Sequence, residues 1–259
     1  MIIYPSPESL ENHPVVARDQ WLIARMELLK EEKESTRLRD KINAQRRDLP
    51  WVRVEEDYLF HTPNGPKTLA DLFDGRSQLF IKHFMFAPGW KAGCVGCSFV
   101  VDSIEGALVH LENHDVTCVA VSRATLAEIE AFKQRMGWRI PWVSSFGSDF
   151  NYDYHVSFAK EEIAEGKAYR NYKMQEIENE EIPGISVFYK NVAGDVFHTY
   201  STYGRGDEEL VSAYMCLDLT PKGRNETGPY FAMPDWVRHH DRYDRDNFDF
   251  MEPYRPAKA

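Results

Sequence analysis

Two apolar runs along the chain predict strands that are buried on both faces. They are QLFIKHFMF at residues 78–86 and VTCVAVS at residues 116–122. Apolar runs of this length, without alternating polar positions, are typical of central strands in a sheet that helices cover on both sides. A shorter run, PWVSSF, predicts a further strand, and Pro88 with Gly89 ends the first one.

Helical periodicity predicts four helices besides these strands, one of which follows Cys97 and is described below. Residues 126–136 carry four apolar residues on one face, and Gly137 is placed to end that helix. Residues 14–47 follow a 3.6-residue period only in their first half, so we expect the second half to be exposed or to pack on a partner. The sequence DEELVSAYMCL predicts a last helix.

Two hairpins complete the pattern of elements. Residues 52–69 flank Pro63-Asn64-Gly65, and Asn-Gly is the strongest short signal for a hairpin. The runs GISVFYK (184–190) and DVFHTYS (195–201) predict the second hairpin. A charged stretch at about 158–182 reads as a helical or irregular insertion, and the tail after residue 217 reads as mostly irregular.

The order of these elements predicts an α/β fold. Alternating strands and helices, followed by an antiparallel hairpin, give a mixed central sheet with helices on both faces. A thioredoxin-like domain has this order, and the leading hairpin adds a peroxiredoxin-type N-terminus. We therefore expect an N-terminal helical arm at 1–50, the α/β domain at 51–216 and a C-terminal extension at 217–259.

Charge and composition exclude several classes of function. The net charge of −10 disfavours nucleic acid as a partner, because phosphates call for a surface rich in Lys and Arg. No apolar run approaches the roughly 18 residues of a membrane span. The N-terminus does not resemble a signal peptide, so we expect a cytoplasmic protein with reduced cysteines. No cofactor is expected.

The candidate chemistry lies in GCVGCSFVVDSIEGALVHLENH, residues 93–114. Cys94-x₂-Cys97 is followed after twelve residues by His110-x₃-His114, which is the spacing of a Cys₂His₂ zinc site. A redox-active CxxC at the start of a helix has the same appearance. If residues 97–114 form one helix, Cys97 and His110 lie about 20 Å apart, at roughly 1.5 Å per residue, which is too far for a shared ion.

The redox interpretation has a physical mechanism. Backbone N–H groups and the dipole at a helix N-terminus stabilise a thiolate. Cys94 would be the attacking nucleophile, and Cys97, one turn further on, would resolve the mixed disulfide. Trp90 could shape a substrate groove or be an ordinary packed side chain, and Lys91 could add positive potential or simply be solvated.

Other residues that carry chemistry are weighed in the same way. His83 interrupts the apolar strand upstream of the cysteines, so it is either a buried base for the proton of Cys97 or a core histidine bonded to a carbonyl. Cys118 and Cys216 are expected to be inert buried thiols. The histidines and aspartate at residues 239–241 suggest a metal, but adjacent ligands diverge, so a solvated tail is expected.

Long blocks of the sequence resemble one bacterial family. The blocks are FMFAPGWKAGCVGCSF, VAVSRATLAEIEAFKQRMGW, PWVSSFGSDFNYDYHVSF, FHTYSTYGRG and LDLTPKGRNE, and the resemblance extends to RRDLPWVRVEEDYLF and WVRHHDRYD near the two ends. The family is the domain of unknown function 899, whose members are described as thioredoxin-like predicted dithiol-disulfide oxidoreductases. The resemblance implies the fold and a dithiol activity, with no defined substrate.

The chain departs from relatives of that fold at three places. Three residues separate Trp90 from Cys94, unlike the Trp-Cys of thioredoxins. Pro183 is an approximate counterpart of the proline that faces the CxxC in thioredoxins. Peroxiredoxins carry a Pro and a Thr seven and three residues before the reactive Cys, where this chain has Ala87 and Lys91.

The sequence therefore predicts a thiol-disulfide oxidoreductase that acts on a protein or small-molecule disulfide. A peroxiredoxin-like peroxide reductase and a non-catalytic binding protein on the same fold are the alternatives, and no metal site is expected. Self-association through the N-terminal arm is also open.

Overall fold

The bounds of the helices and strands come from a computed structural model that describes residues 7–177, 179–230, 232–244 and 250–254. The helices are α1 (Pro7–Glu11), α2 (Arg18–Arg47), α3 (Val95–Glu105), α4 (Leu108–Asn113), α5 (Leu126–Met136), α6 (Phe150–Asp153), α7 (Lys160–Glu165) and α8 (Ser212–Leu217). The strands are β1 (Val52–Arg53), β2 (Leu59–Thr62), β3 (Gly65–Thr68), β4 (Gln78–His83), β5 (Val116–Ser122), β6 (Trp142–Ser144), β7 (Lys167–Arg170), β8 (Lys173–Glu176), β9 (Gly184–Lys190) and β10 (Val196–Tyr203). Short 3₁₀ helices cover Asp71–Phe73, Gly204–Leu210, Met233–Asp235 and Glu252–Tyr254.

The central sheet has eight strands in the order β1-β10-β9-β4-β5-β6-β2-β3. Strands β4, β5 and β6 are mutually parallel, whereas β9 pairs antiparallel with β4 and with β10. The hairpin β2–β3 joins the sheet beside β6. This is the thioredoxin-like mixed sheet with a peroxiredoxin-type N-terminal hairpin, so the predicted fold class is confirmed.

The two faces of β4 pack into two different hydrophobic clusters. Leu79 and Ile81 point into a cluster with Phe150 and Phe188 on one face of the sheet. Phe84, which continues the alternation beyond the strand, packs in the other cluster with α3 and α5. The unbroken apolar run of β4 follows from this burial on both faces.

Helix α5 spans the predicted residues because its boundaries are encoded locally. The Thr125 side chain accepts from the backbone of Glu128, and the Glu128 carboxylate accepts from the backbone of Thr125. Gly137 ends the helix in the left-handed conformation, at φ +66°. Ile129 and Phe132 are buried against the sheet.

Three segments differ from their predicted form. Helix α2 begins at Arg18 instead of Pro14, and none of its residues is buried. The helix predicted after Cys97 is two helices, α3 and α4, which meet at Gly106. The charged insertion contains α7 and the small hairpin β7–β8, which is organised around a cluster of its own.

Within its described residues, the C-terminal segment packs on the core although its regular elements after α8 are only two short 3₁₀ helices. Val237 is fully buried, and Met233 and Trp236 pack against the cluster that contains α3.

The boundaries proposed from the sequence for the N-terminal arm, the α/β domain and the C-terminal extension stay a prediction. Among the helices that the structure describes, none is both long and apolar enough to cross a membrane.

Candidate active site at the start of helix α3

Cys94 is the residue that caps the N-terminus of α3. Its Sγ accepts a hydrogen bond from the backbone N–H of Cys97 at 3.3 Å, and its carbonyl accepts from the backbone N–H of Ser98 at 2.9 Å. The N–H of Cys94 donates to the carbonyl of Met85, and the N–H of Met85 donates to Cys97 Sγ at 3.5 Å. Both sulfurs are therefore held where the chain leaves the end of β4.

The two thiols differ in acidity. The pKa of Cys94 is lowered to about 7, first by a hydrogen bond from the Cys97 thiol and then by bonds from the Tyr254 hydroxyl and the Cys97 backbone. The charge of Lys82 lowers it further. Burial raises the pKa of Cys97 well above its usual value, and its hydrogen bond to Cys94 adds to this. These opposite shifts favour the thiolate on Cys94 and the protonated thiol on Cys97.

A buried ion pair lies on the same face of β4 as the cysteines. Lys82 is fully buried, and its Nζ is 2.6 Å from a carboxylate oxygen of Asp207. Burial acts to lower the pKa of Lys82, but attraction to Asp207 and to the cysteines raises it above the usual value. Sequence analysis missed this residue, although a lysine inside an apolar strand was a usable signal.

His83 points to the opposite face of the sheet. Its ring stacks on Tyr154 at 5.9 Å between centroids and lies near Phe150, and its Nε2 is 2.8 Å from Ser186 Oγ. Burial, and then the charge of Lys82, lowers the pKa of His83 to about 3. The structure therefore does not bring His83 together with Cys97, and Lys82 occupies the side of the strand where a base was expected.

The remaining predicted residues are distributed around a cleft that both sulfurs line. Trp90 and Pro183 line it, and Trp90 packs edge-on against Tyr254 at 4.9 Å between centroids. The peptide bond before Pro183 is trans. Lys91 is exposed and is not among the residues that line the cleft.

The cleft has a volume of about 970 Å³ and a largely apolar wall. Side chains of Phe99 and Val211 form part of that wall. Met233 packs directly over the CxxC, since a Cβ built on Gly96 would lie 2.5 Å from Met233 Cε. The glycine inside the motif therefore permits a close approach of the C-terminal segment.

The C-terminal segment also reaches the cysteine loop through hydrogen bonds. The Tyr254 hydroxyl donates to Cys94 Sγ at 3.4 Å, and the N–H of Ala92 donates to the carbonyl of Pro253 at 3.4 Å. His239 is buried, and its Nε2–H donates to the carbonyl of Gly93 at 2.9 Å. The prediction of a solvated tail at this position is wrong, because the tail forms one wall of the site.

Neighbouring tail residues anchor the same segment. His240 lies 2.7 Å from Asp102 of α3, and Asp241 forms an ion pair with Arg135 of α5. Arg135 also donates to Nδ1 of His239 at 3.1 Å. The three side chains therefore contact partners on α3, on α5 and in the cysteine loop. They do not converge on one point, so the metal site that His239, His240 and Asp241 suggest in the sequence is not formed.

The spacing pattern of a zinc site is not assembled. Cys94 and Cys97 are buried at the start of α3, whereas His110 is exposed near the end of α4. Within the part of the chain that the structure describes, no group of three or more His, Cys, Asp or Glu residues is placed to hold a metal. Cys118 is buried as expected, but Cys216 is exposed, so that prediction is wrong.

Comparison of the whole sequence with models of protein families identifies the family of this chain. A model of the family described as bacterial protein of unknown function (DUF899) matches residues 10–243. The chain belongs to this family. No curated protein matches the DUF899 chain.

Solved structures similar to the DUF899 chain are remote. Peroxidoxin BcpB from Mycobacterium tuberculosis has a TM-score of 0.43 and 11% identity, and the match covers 65% of this chain and 97% of that one. PrxQ from Xylella fastidiosa has a TM-score of 0.41 and 13% identity, with 64% and 94% covered. Peroxiredoxin Q from Xanthomonas campestris has a TM-score of 0.41 and 12% identity, with 64% and 96% covered. Similarity this low says nothing about activity or substrate.

Proposed function

We propose that this DUF899 protein is a thiol–disulfide oxidoreductase in which Cys94 attacks and Cys97 resolves. The observation that carries the proposal is the position of the two thiols at the N-terminus of α3, where Cys94 Sγ accepts hydrogen bonds from the Cys97 backbone and the Tyr254 hydroxyl. The pKa values of the two thiols are shifted in opposite directions in this position. Dithiol exchange requires this arrangement, because one thiol has to be ionised near neutral pH to attack the substrate. The second thiol stays protonated until it attacks the mixed disulfide.

The reaction consists of two exchange steps. The Cys94 thiolate attacks one sulfur of the substrate R–S–S–R′, so that a Cys94–S–S–R bond forms and R′–S⁻ leaves with a proton from solvent. Cys97 then loses its proton and attacks Cys94 Sγ, which releases R–S⁻ and leaves a Cys94–Cys97 disulfide. The substrate gains two electrons, and an external thiol or dithiol reductant restores the enzyme.

Lys82 and Tyr254 assist these steps as neighbours of the sulfurs. The positive charge of Lys82 stabilises thiolate on either cysteine, and the Tyr254 hydroxyl donates to the Cys94 thiolate. When Cys94 enters the mixed disulfide its negative charge is lost, so the Lys82 charge is available to stabilise the Cys97 thiolate as it forms. Net reduction of substrate requires a reducing compartment, for which we propose the cytoplasm.

A redox titration followed by thiol alkylation tests the proposal. We expect Cys94 and Cys97 to be alkylated together in reducing buffer and protected together in oxidising buffer, through one two-electron transition. Cys97→Ser should hold substrate as a stable mixed disulfide on Cys94. Cys216→Ser, which changes the exposed thiol, is the control and should leave the transition unchanged. Failure of the pair to form a reversible disulfide would overturn the proposal.

A peroxide reductase is a second candidate, and the enclosure of Cys94 favours it, since a peroxide is small enough to enter. The thiolate would take one oxygen of ROOH to form a sulfenic acid and release ROH, and Cys97 would then displace water to form the same disulfide. Ala87 and Lys91, at the positions of the peroxiredoxin Pro and Thr, count against it. Rapid peroxide consumption with a thiol donor, abolished in Cys94→Ser, would establish this activity.

A binding protein on the same fold is a third candidate. It is favoured by helix α2, which has thirty residues, none of them buried, and which exposes Trp21, Ile23 and Met26. Under this alternative the double variant Cys94→Ser, Cys97→Ser would keep full biological activity. Under the dithiol proposal that variant is inactive.

A further inference from the structure

Access to the attacking sulfur is restricted. Cys94 is only 5% exposed, and Tyr254 and Met233 of the C-terminal segment lie against the CxxC. Disulfide exchange requires the two substrate sulfurs to line up with the attacking thiolate, so the substrate disulfide has to enter the cleft itself. A disulfide fixed in the surface of a folded protein cannot do this without displacing the segment.

The dimensions of the cleft suit a small molecule. Its volume of about 970 Å³ lies near the upper end of the roughly 300–1,000 Å³ range of ligand pockets. Its wall includes Phe99, Val211 and Met251 as well as Trp90. A wall of this composition favours a ligand that buries apolar surface, since each buried methylene contributes about 0.8 kcal/mol, or roughly fourfold in affinity.

The two cationic side chains that line the cleft, among the described residues, are already paired with carboxylates. Arg205 is bonded to Glu208 at 2.6 Å and Arg224 to Asp218 at 2.8 Å, and the carboxylate of Glu226 also lines the cleft. Arg224 also lies 3.3 Å from Glu208. Both arginines are therefore neutralised by carboxylates of the protein, and a substrate carboxylate would have to compete with these carboxylates while losing its own hydration.

We infer that the cleft binds a small, uncharged, apolar disulfide, in preference to a protein disulfide or an anionic one such as glutathione disulfide. This inference rests on the proposed function and names its substrate class. The apolar arms of the substrate lie along the aromatic wall, and its sulfur–sulfur bond faces Cys94 Sγ. Electrons pass as in the two exchange steps above, and the products are two apolar thiols.

The test compares the rates at which different disulfides oxidise the protein, each corrected for the intrinsic reactivity of that disulfide. Reduced full-length protein is mixed with di-n-propyl disulfide, dimethyl disulfide, dithiodipropionate, glutathione disulfide or insulin, and formation of the Cys94–Cys97 disulfide is followed by quenching and alkylation. Each rate is divided by that of the same disulfide with free 2-mercaptoethanol. We expect the normalised rate for di-n-propyl disulfide to exceed that for dithiodipropionate by at least tenfold, and dimethyl disulfide to fall in between.

A charge placed in the cleft should reverse part of this preference. Met251 lines the cleft and is 45% exposed, so Met251→Arg adds a cation to the wall. We expect the dithiodipropionate rate to rise about fivefold or more and the di-n-propyl rate to stay equal or fall. Val192→Arg, on the exposed turn between β9 and β10, is the matched control and should change neither rate.

The outcomes separate the inference from the proposed function. Equal or faster normalised rates for dithiodipropionate, glutathione disulfide or insulin would overturn the substrate class and leave the dithiol chemistry standing. If no disulfide oxidises the Cys94–Cys97 pair, the proposed function itself fails. A preference for di-n-propyl disulfide that Met251→Arg reduces and Val192→Arg preserves supports the inference.

Discussion

At the scale of single residues, the acidity of Cys94 depends on side chains that come from distant parts of the chain. Tyr254 donates to its sulfur, and Lys82 places a positive charge beneath it. Each of these contributions favours the thiolate over the thiol, so each can be removed separately and read out as a change in the pKa of Cys94.

Tyr254→Phe removes the donated hydrogen bond and should raise the pKa of Cys94 by about one unit, since a hydrogen bond to a charged group contributes roughly 1.5 kcal/mol or more. The measurement is the rate of iodoacetamide alkylation against pH, whose midpoint near pH 7 should move upward. Tyr230→Phe, at an exposed tyrosine of the same tail, is the control. An unchanged midpoint in Tyr254→Phe would contradict the assignment.

Lys82→Met should have two effects because it removes one member of a buried ion pair. Asp207 is left without its partner, which destabilises the fold by about 3–5 kcal/mol in urea unfolding. The pKa of Cys94 should also rise in the alkylation assay. Lys91→Met, at the exposed lysine nearby, should change neither quantity.

A double variant separates the two roles of Lys82. Lys82→Met with Asp207→Leu replaces the whole pair by apolar side chains, so most of the stability should return while the pKa of Cys94 stays raised. If the pKa returned together with the stability, the effect of the single variant would have come from distortion of the site, and the electrostatic role would be wrong.

At the scale of elements, the glycines that precede and follow α3 differ in how closely they are packed. A Cβ at Gly93 would lie 2.6 Å from a ring carbon of Phe84 and 2.9 Å from one of Phe132. A Cβ at Gly106, where α3 meets α4, would meet nothing within 4 Å, and that residue has helical dihedrals with φ −70°.

The two glycines therefore predict opposite results for the same substitution. Gly93→Ala overpacks a buried aromatic cluster and should destabilise the protein by about 1–3 kcal/mol. Gly106→Ala fits without strain and should stabilise it by about 0.4–1 kcal/mol, mainly by restricting the unfolded chain. Urea unfolding of both variants measures the difference, and equal effects would show that the packing around Gly93 is misdescribed.

At the scale of the whole molecule, the C-terminal segment is a wall of the site, and His239 connects it to the cysteine loop. Burial lowers the pKa of His239 to about 4, while the bond to Gly93 acts in the opposite direction. In the unfolded chain the pKa is about 6.5, so the unfolded state binds more protons at intermediate pH. Stability is fully present above about pH 6.5 and is lost as pH falls toward 4.

His239→Gln should reduce this acid sensitivity, because an amide can donate to Gly93 and accept from Arg135 without titrating. Between pH 7 and pH 4.5 the native protein should lose on the order of 2–3 kcal/mol more stability than the variant. His110→Gln, at an exposed histidine of α4, serves as the comparison. Parallel pH profiles for the native protein and His239→Gln would exclude this role.

Local sequence signals were sufficient for most of the fold. The apolar runs of β4 and β5 identify central strands, and the box formed by Thr125 and Glu128 with Gly137 marks both ends of α5. These signals act between residues that are close along the chain, so their meaning does not depend on distant contacts. For the same reason the sequence placed the two cysteines at the start of a helix.

Contacts between distant segments determined the environment of the cysteines. Whether Lys82 or His83 faces them depends on the pairing register of β4 within the sheet, since a shift of one residue exchanges the two faces. Tyr254 and His239 meet residues about 150 positions earlier, and no periodicity in the tail encodes such pairs. The chain thus carried the dithiol in its local pattern, whereas the charge, the hydrogen bonds and the cleft around it arise only when the chain folds upon itself.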